Sequence, residues 1–193
     1  ADEDYTYLNL PYTDELDNFT AVDSTTGLAT EEVEKVDNTT LKILGDYSDV
    51  PLLVGHTFES RLEYSPFYIN NQNNMPDVQG KLQLKTVSLS FTKTGEFRFK
   101  ITPYPRRNIE PYVDGNPELE AYLDANVLEQ EFSGIILGEA VLNTPPVVTG
   151  EHTFSVTANA KKVRIELIAD KHLPASFQLT AFEAEYSNRA THR

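Results

Sequence analysis

Histidines, carboxylates and aromatic rings are the residues of this 193-residue chain that could carry chemistry. The histidines are His56, His152, His172 and His192. No two stand four residues apart, and none lies in an HExxH-type pattern that would place two imidazoles on one metal. His152 alternates with Phe154 and Val156, which reads as a packing position rather than a catalytic one. There is no cysteine, which removes disulfides, thiolate zinc sites and cysteine nucleophiles. A GxSxG elbow and a phosphate-cradling glycine loop with its lysine are both absent. The acids of Gly45-Asp46-Tyr47-Ser48-Asp49 and Asp2-Glu3-Asp4 are candidate calcium ligands. That cation takes about six to eight oxygens, and no EF-hand pattern surrounds these. A carboxylate pair for glycoside hydrolysis is defined by a separation that a sequence does not display. The residues thus nominate no catalytic group, no cofactor and no metal. Tyr5, Tyr7, Tyr12, Tyr104 and Tyr112 suit either sugar stacking or a subunit interface, where tyrosine is enriched. Asn18-Phe19-Thr20 and Asn38-Thr39-Thr40 match glycosylation acceptors.

Charge says more. The chain carries 30 acids and 16 bases, a net charge of -14, which disfavours binding nucleic acid by broad phosphate neutralisation. The first 50 residues hold 13 acids against Lys35 and Lys42, a net of -11. Residues 81–107 reverse the sign, with Lys81, Lys85, Lys93, Arg98, Lys100, Arg106 and Arg107 against Glu96 alone. An acidic leading segment thus precedes a basic one. Arg98, Lys100, Arg106 and Arg107 are the candidate subunit contacts, complementary to the acidic segment of a neighbouring copy.

The elements that must position these residues are strands. Leu82 and Leu84 share one phase, then Val87, Leu89 and Phe91 the other; the change predicts a bulge or a switch of covering layer. After Lys93-Thr94-Gly95, Phe97, Phe99 and Ile101 alternate with Arg98, Lys100 and Thr102. This reads as a β-hairpin with Gly95 supplying a positive φ. A second pair joins 152–157 to 163–167 through Asn159-Ala160. Further strands are expected at 52–54, at 58–64 with Phe58, Leu62 and Tyr64 in phase, and at 135–141. Another is expected at 177–182, with Phe177, Leu179 and Ala181 on one face. Residues 116–128 suit a helix, with Pro117 at its first turn and Leu119, Tyr122 and Leu123 at helical spacing. Residues 30–35 suit a short helical turn. The expected fold is all-β: an antiparallel β-sandwich with long loops and at most one or two short helices. Residues 1–50 form an acidic leading segment contributing strands to the same domain, and 51–193 the sandwich body. No apolar run approaches the ~18 residues of a membrane span. The chain starts at Ala1 and is read as a processed product or a piece of something longer.

A family resemblance runs through these strands. Gly45-Asp46, Leu53-Val54-Gly55-His56-Thr57-Phe58 and Glu63-Tyr64-Ser65-Pro66-Phe67-Tyr68-Ile69 resemble the C-terminal region of podophage tail tubular protein B, the tail nozzle. The likeness continues through residues 80–85, 87–91, 94–97, 134–138 and 150–156. The ending Phe182-Glu183-Ala184-Glu185-Tyr186 is similar to a family ending that tends to read Trp-Glu-Gly-x-Tyr, with Phe182 and Ala184 in place of Trp and Gly. It covers residues 39–193 and extends toward Asn9-Leu10-Pro11-Tyr12, read as a strand.

The resemblance implies a structural component of the virion tail: part of a sixfold nozzle that conducts DNA and docks the tail adaptor and fibre proteins. It implies self-association of a longer parent, DNA passage without sequence-specific binding, and no enzymatic residue. The alternative from another class is a carbohydrate- or receptor-binding β-sandwich that acts as an adhesion module. A carboxylate hydrolase is the third.

Overall fold

The computed structural model describes residues 5–13, 15–30, 32–70, 75, 80–104, 125–135 and 144–187. It is all-β and its strand pairings are antiparallel. In the body, β7 (Lys81–Thr94) lies between β10 (Val148–Asn159) and β12 (Phe177–Ser187). The facing sheet has the order β6 (Ser60–Glu63), β11 (Val163–Ala169), β8 (Glu96–Pro103), β9 (Leu128–Ser133). Between the two layers sits one apolar core. Phe91, Phe97, Phe99 and Phe154 are nearly or fully buried there with Leu84, Val87, Leu89, Ile165 and Leu167. Rings of the two layers interlock: Phe99 stacks on Phe154 at 4.9 Å and Phe97 meets Phe91 edge-on at 5.4 Å. Such pairs add about 0.5–1.5 kcal/mol each beyond the area they bury.

β7 and β8 are not the hairpin that their alternation suggests. They belong to different sheets, and Gly95 carries the chain across the core between them. Two apolar faces separated by a short turn can be a hairpin or an arch. Here both faces are needed on opposite walls of the sandwich, so the turn bridges layers. Its backbone is committed elsewhere: Gly95 N–H donates to the Pro174 carbonyl, and the Gly95 carbonyl accepts from Gly134 N–H. The positive φ falls on Lys93, at 47°, not on the glycine. Gly95 is required for space, since a Cβ there would lie 2.5 Å from Leu173. The second pair behaves alike. β10 and β11 lie in different layers, and the corner between them is closed by Asn159, whose carbonyl accepts from Lys162 N–H and whose side chain accepts from Lys161 N–H.

The phase change in β7 is a bulge. Leu82, Leu84, Val87, Leu89 and Phe91 all enter the same core. Opposite β12, the register slips between Glu183 and Ala184, leaving Lys85 as the extra residue of β7. β10 slips at the same level, where Thr157 takes φ 42°. A further slip between Phe177 and Leu179 corrects the expected facing of β12. Phe177, Phe182 and Tyr186 pack on the core, while Leu179 is 65% exposed.

Other expectations change as well. Residues 33–35 form strand β3 (Val33–Lys35), not a helical turn. Phe58 and Leu62 are exposed, and of the expected trio only Tyr64 packs on the core. Among the described residues helix appears at 125–126 alone, followed by β9, a strand the sequence did not announce. Most of the expected helix, 116–124, and most of the expected strand 135–141 lie outside the described residues.

The leading residues build a smaller unit. β1 (Tyr5–Asn9), β4 (Thr40–Leu44) and β3 form one sheet, and β2 (Phe19–Asp23) pairs with β5 (Leu52–His56). The first strand thus precedes Leu10-Pro11-Tyr12 rather than spanning it. Ala21, Leu41 and Ile43 are wholly buried and Phe19 nearly so, so the inner faces of these two sheets make a second, small core. Among the described residues, they share no strand with the body.

Candidate functional site

Two regions bring functional side chains together. The first is the outer face of the β6-β11-β8-β9 sheet, where strand register sets charge beside charge. Lys100 stands opposite Glu129 and Glu166, and Arg98 opposite Glu131 and Ile168. Arg98 donates to Asp170 at 2.6 Å and to Glu129 at 3.3 Å, and Lys100 lies 3.7 Å from Glu129. Partial burial works against the charged form of Arg98, yet the fields of Asp170 and Glu129 hold its pKa above the ordinary value. Glu166 is completely buried; Arg61 donates to its Oε1, with Nε at 2.6 Å. That bond and the carboxylate's field raise Arg61. Arg164 Nε lies 3.4 Å from Glu166 Oε2, too misaligned for a hydrogen bond. Two of the four bases nominated as subunit contacts, Arg98 and Lys100, are therefore already held within the chain. Arg106 and Arg107 lie outside the described residues.

The second region is a cleft of about 280 Å³ between the leading unit and the body. Thr20, His56 and Thr57 form one wall, Phe58 and Ser60 its floor, and the turn from Ala169 through Lys171, His172, Leu173, Pro174 and Ala175 the other. Among the described residues its lining contains a lysine and two histidines but no carboxylate. Phe58 is 78% exposed. The spacing places Phe58 in phase with Leu62 and Tyr64, but the polar run Glu59-Ser60-Arg61 beside it marks this strand as a solvent-facing edge.

Of the remaining candidates, Asp2-Glu3-Asp4 and Tyr112 lie outside the described residues. Asp46 Oδ1 accepts from Ser48 N–H and Oγ, closing a local turn. Asp23 does the same with Thr25 and Thr26, and Asp37 with Thr39. These bonds favour the ionised carboxylates and lower all three pKa values. Among the described residues no three His, Asp or Glu side chains converge as a metal site would require. His152 rests between Phe132 and Phe154, and burial lowers its pKa. The Asn18 side chain is engaged, donating to the Thr57 carbonyl at 2.8 Å.

The described residues thus gather paired charges on one sheet face and a lysine, two histidines and several hydroxyls around a cleft. The family model described as bacteriophage nozzle protein matches residues 1–129 and 118–193. The chain belongs to the bacteriophage nozzle protein family. The match takes in the whole leading segment, where the likeness read from sequence motifs covers residues 39–193 and extends toward Asn9-Leu10-Pro11-Tyr12. A search of curated proteins finds no match. As a nozzle-family member the chain is a structural component of the phage tail, located in the virion and assembling with other tail parts. No helix among the described residues is long and apolar enough to cross a membrane.

Proposed function

We propose that this nozzle-family chain forms part of the wall of the DNA-ejection conduit, docks neighbouring tail parts such as the adaptor and fibres, and works as a homo-oligomeric ring without catalysing a reaction. The observation that carries this reading is the internal pairing of its bases. Arg61, Lys85, Arg98 and Lys100 each face a carboxylate of the same chain. A duplex sliding past such a surface meets few cations able to trade counterions for phosphates, so it passes without being held. The outer face of the β10-β7-β12 sheet supports the same reading. It presents Thr86, Ser88, Ser90, Thr153 and Ser155, with Ser88 and Thr153 hydrogen-bonded to each other at 2.8 Å.

The same reading assigns Arg98, Lys100, Arg106 and Arg107 to a subunit contact in which the acids of a neighbouring copy extend the in-chain network. The reading is tested by imaging virions with a label on this chain, alongside duplex DNA retention at low salt. A labelled ring at the end of the tail and no salt-dependent retention are expected. Tight retention that collapses between 50 and 200 mM salt, as ~6–10 phosphate contacts would produce, overturns the passive conduit.

A further inference from the structure

The leading unit has two distinct outward faces. On one, the β1-β4-β3 sheet turns Tyr5 and Tyr7 outward with Lys42 and Glu34, while Leu8, Leu41 and Ile43 point inward. Tyr7 is 61% exposed, and acids rim the face: Glu34 beside Lys42, Asp46 after the end of β4, and Asp37 before its start. On the other, the β2-β5 ribbon presents Thr20, Val22, Leu53 and Gly55, with Phe19, Ala21 and Val54 turned inward. Leu53 is 64% exposed, and a Cβ on Gly55 would touch nothing within 4 Å, so this face is an open apolar slot. The slot leads through Thr20 and Thr57 into the cleft of Phe58, Lys171 and His172.

We propose that copies of this chain join head to tail through these two faces, the tyrosine face of one seating on the open β2-β5 face and the cleft of the next. The proposal rests on the homo-oligomeric reading above and names the contact. Charge complementarity selects the occupant. Among the described residues the receiving cleft is lined by Lys171, His56 and His172 and by no carboxylate, Asp170 beside it being paired with Arg98, in a chain of net charge -14. The donor face is an acid-rimmed apolar surface in the segment of greatest negative charge. That the two faces are different patches matters as much, because a closed ring needs heterologous contacts in which one patch meets a different one. Tyrosine is suited to such a contact, offering large area at small entropic cost.

The absence of cysteine allows a direct test with the 193-residue chain. Tyr7→Cys and Leu53→Cys are made separately and mixed under oxidising conditions. Mixed disulfide dimers are expected, with at least about tenfold less cross-linking for either variant alone. Sedimentation velocity should show association weakened about tenfold or more by Phe58→Glu or Lys171→Glu, as one interfacial anchor of ~1.4 kcal/mol would give. Both side chains are exposed, so neither change should unfold the chain, which circular dichroism checks. Equal self-cross-linking by each single variant overturns the proposal, as does no cross-link, or association indifferent to both reversals. A labelled ring in virions without the mixed cross-link retires this contact and leaves the conduit reading standing. The cross-link with filaments in place of rings does the reverse.

Discussion

The body and the leading unit use the same architecture at different scales. The body's two layers enclose a phenylalanine-rich core that no single strand could bury alone. The leading unit closes over four fully or nearly fully buried residues, Phe19, Ala21, Leu41 and Ile43. Its turns are held instead by short side-chain hydrogen bonds from Asp23, Asp37 and Asp46. Burial scales with size, so a unit of this kind is marginal by itself. The difference separates a rigid scaffold from a part whose stability depends on what covers it.

Three measurements sharpen or break that contrast. Phe99→Ala removes a wholly buried ring stacked on Phe154 and should cost about 3–5 kcal/mol. The loss should register as a lower urea midpoint for the body. A cost below ~1 kcal/mol would show a core that collapses around the gap. Leu41→Ala should cost about 2–4 kcal/mol, felt locally. Hydrogen exchange should then quicken in residues 5–56 while β7 and β11 keep their protection. Equal loss in both regions would make them one cooperative block.

Acid gives the smallest effect and orders the two regions. His152, in the body, has a folded pKa below the usual 6.5 because burial disfavours its charged form. Its stabilising contribution is present above that value and is lost as pH falls from there through the folded pKa. The lowered pKa values of Asp23, Asp37 and Asp46 give contributions present above the usual 3.8 and lost below it. Asp37 and Asp46 are exposed and Asp23 is half-buried, each carboxylate bonded within its own turn, so their effect is local. Stability of the body should therefore decline first, below pH 6.5, and His152→Phe should remove that decline. Turn protection at residues 25, 39 and 48 should fade only under pH 3.8. The opposite order of loss would contradict the assignment.

The class of fold was legible in the sequence because alternation is written residue by residue. Val87-Leu89-Phe91 and Phe97-Phe99-Ile101 announced buried faces, and both are buried. The bulge near Lys85 was legible as a break in phase. Connectivity was not. A hairpin and an arch share one local pattern, and the choice depends on distant partners such as Pro174 and Gly134 that take up the backbone of Gly95. β9 stayed hidden because its sequence, Leu128 to Ser133, is mostly polar and half exposed, held to β8 by pairing rather than by burial. The basic strand residues were legible as charges, but their partners Glu129, Asp170 and Glu166 lie 31 to 105 residues away. The cleft arises where two regions meet, and no single stretch of sequence encodes it.

The two arches, at Gly95 and after Asn159, also set the order in which the polypeptide can acquire structure. β7 has no partner when it leaves the ribosome, since β8 crosses to the other layer and β10 and β12 are made later. Pairings of such long sequence separation place the body among slow folders, on the scale of milliseconds to seconds. The leading unit, whose pairs lie closer in sequence, can assemble while synthesis is still under way. A growing chain would thus display its tyrosine face while the phenylalanine strands behind it are still open, so assembly in the infected cell has to be timed against aggregation of β7.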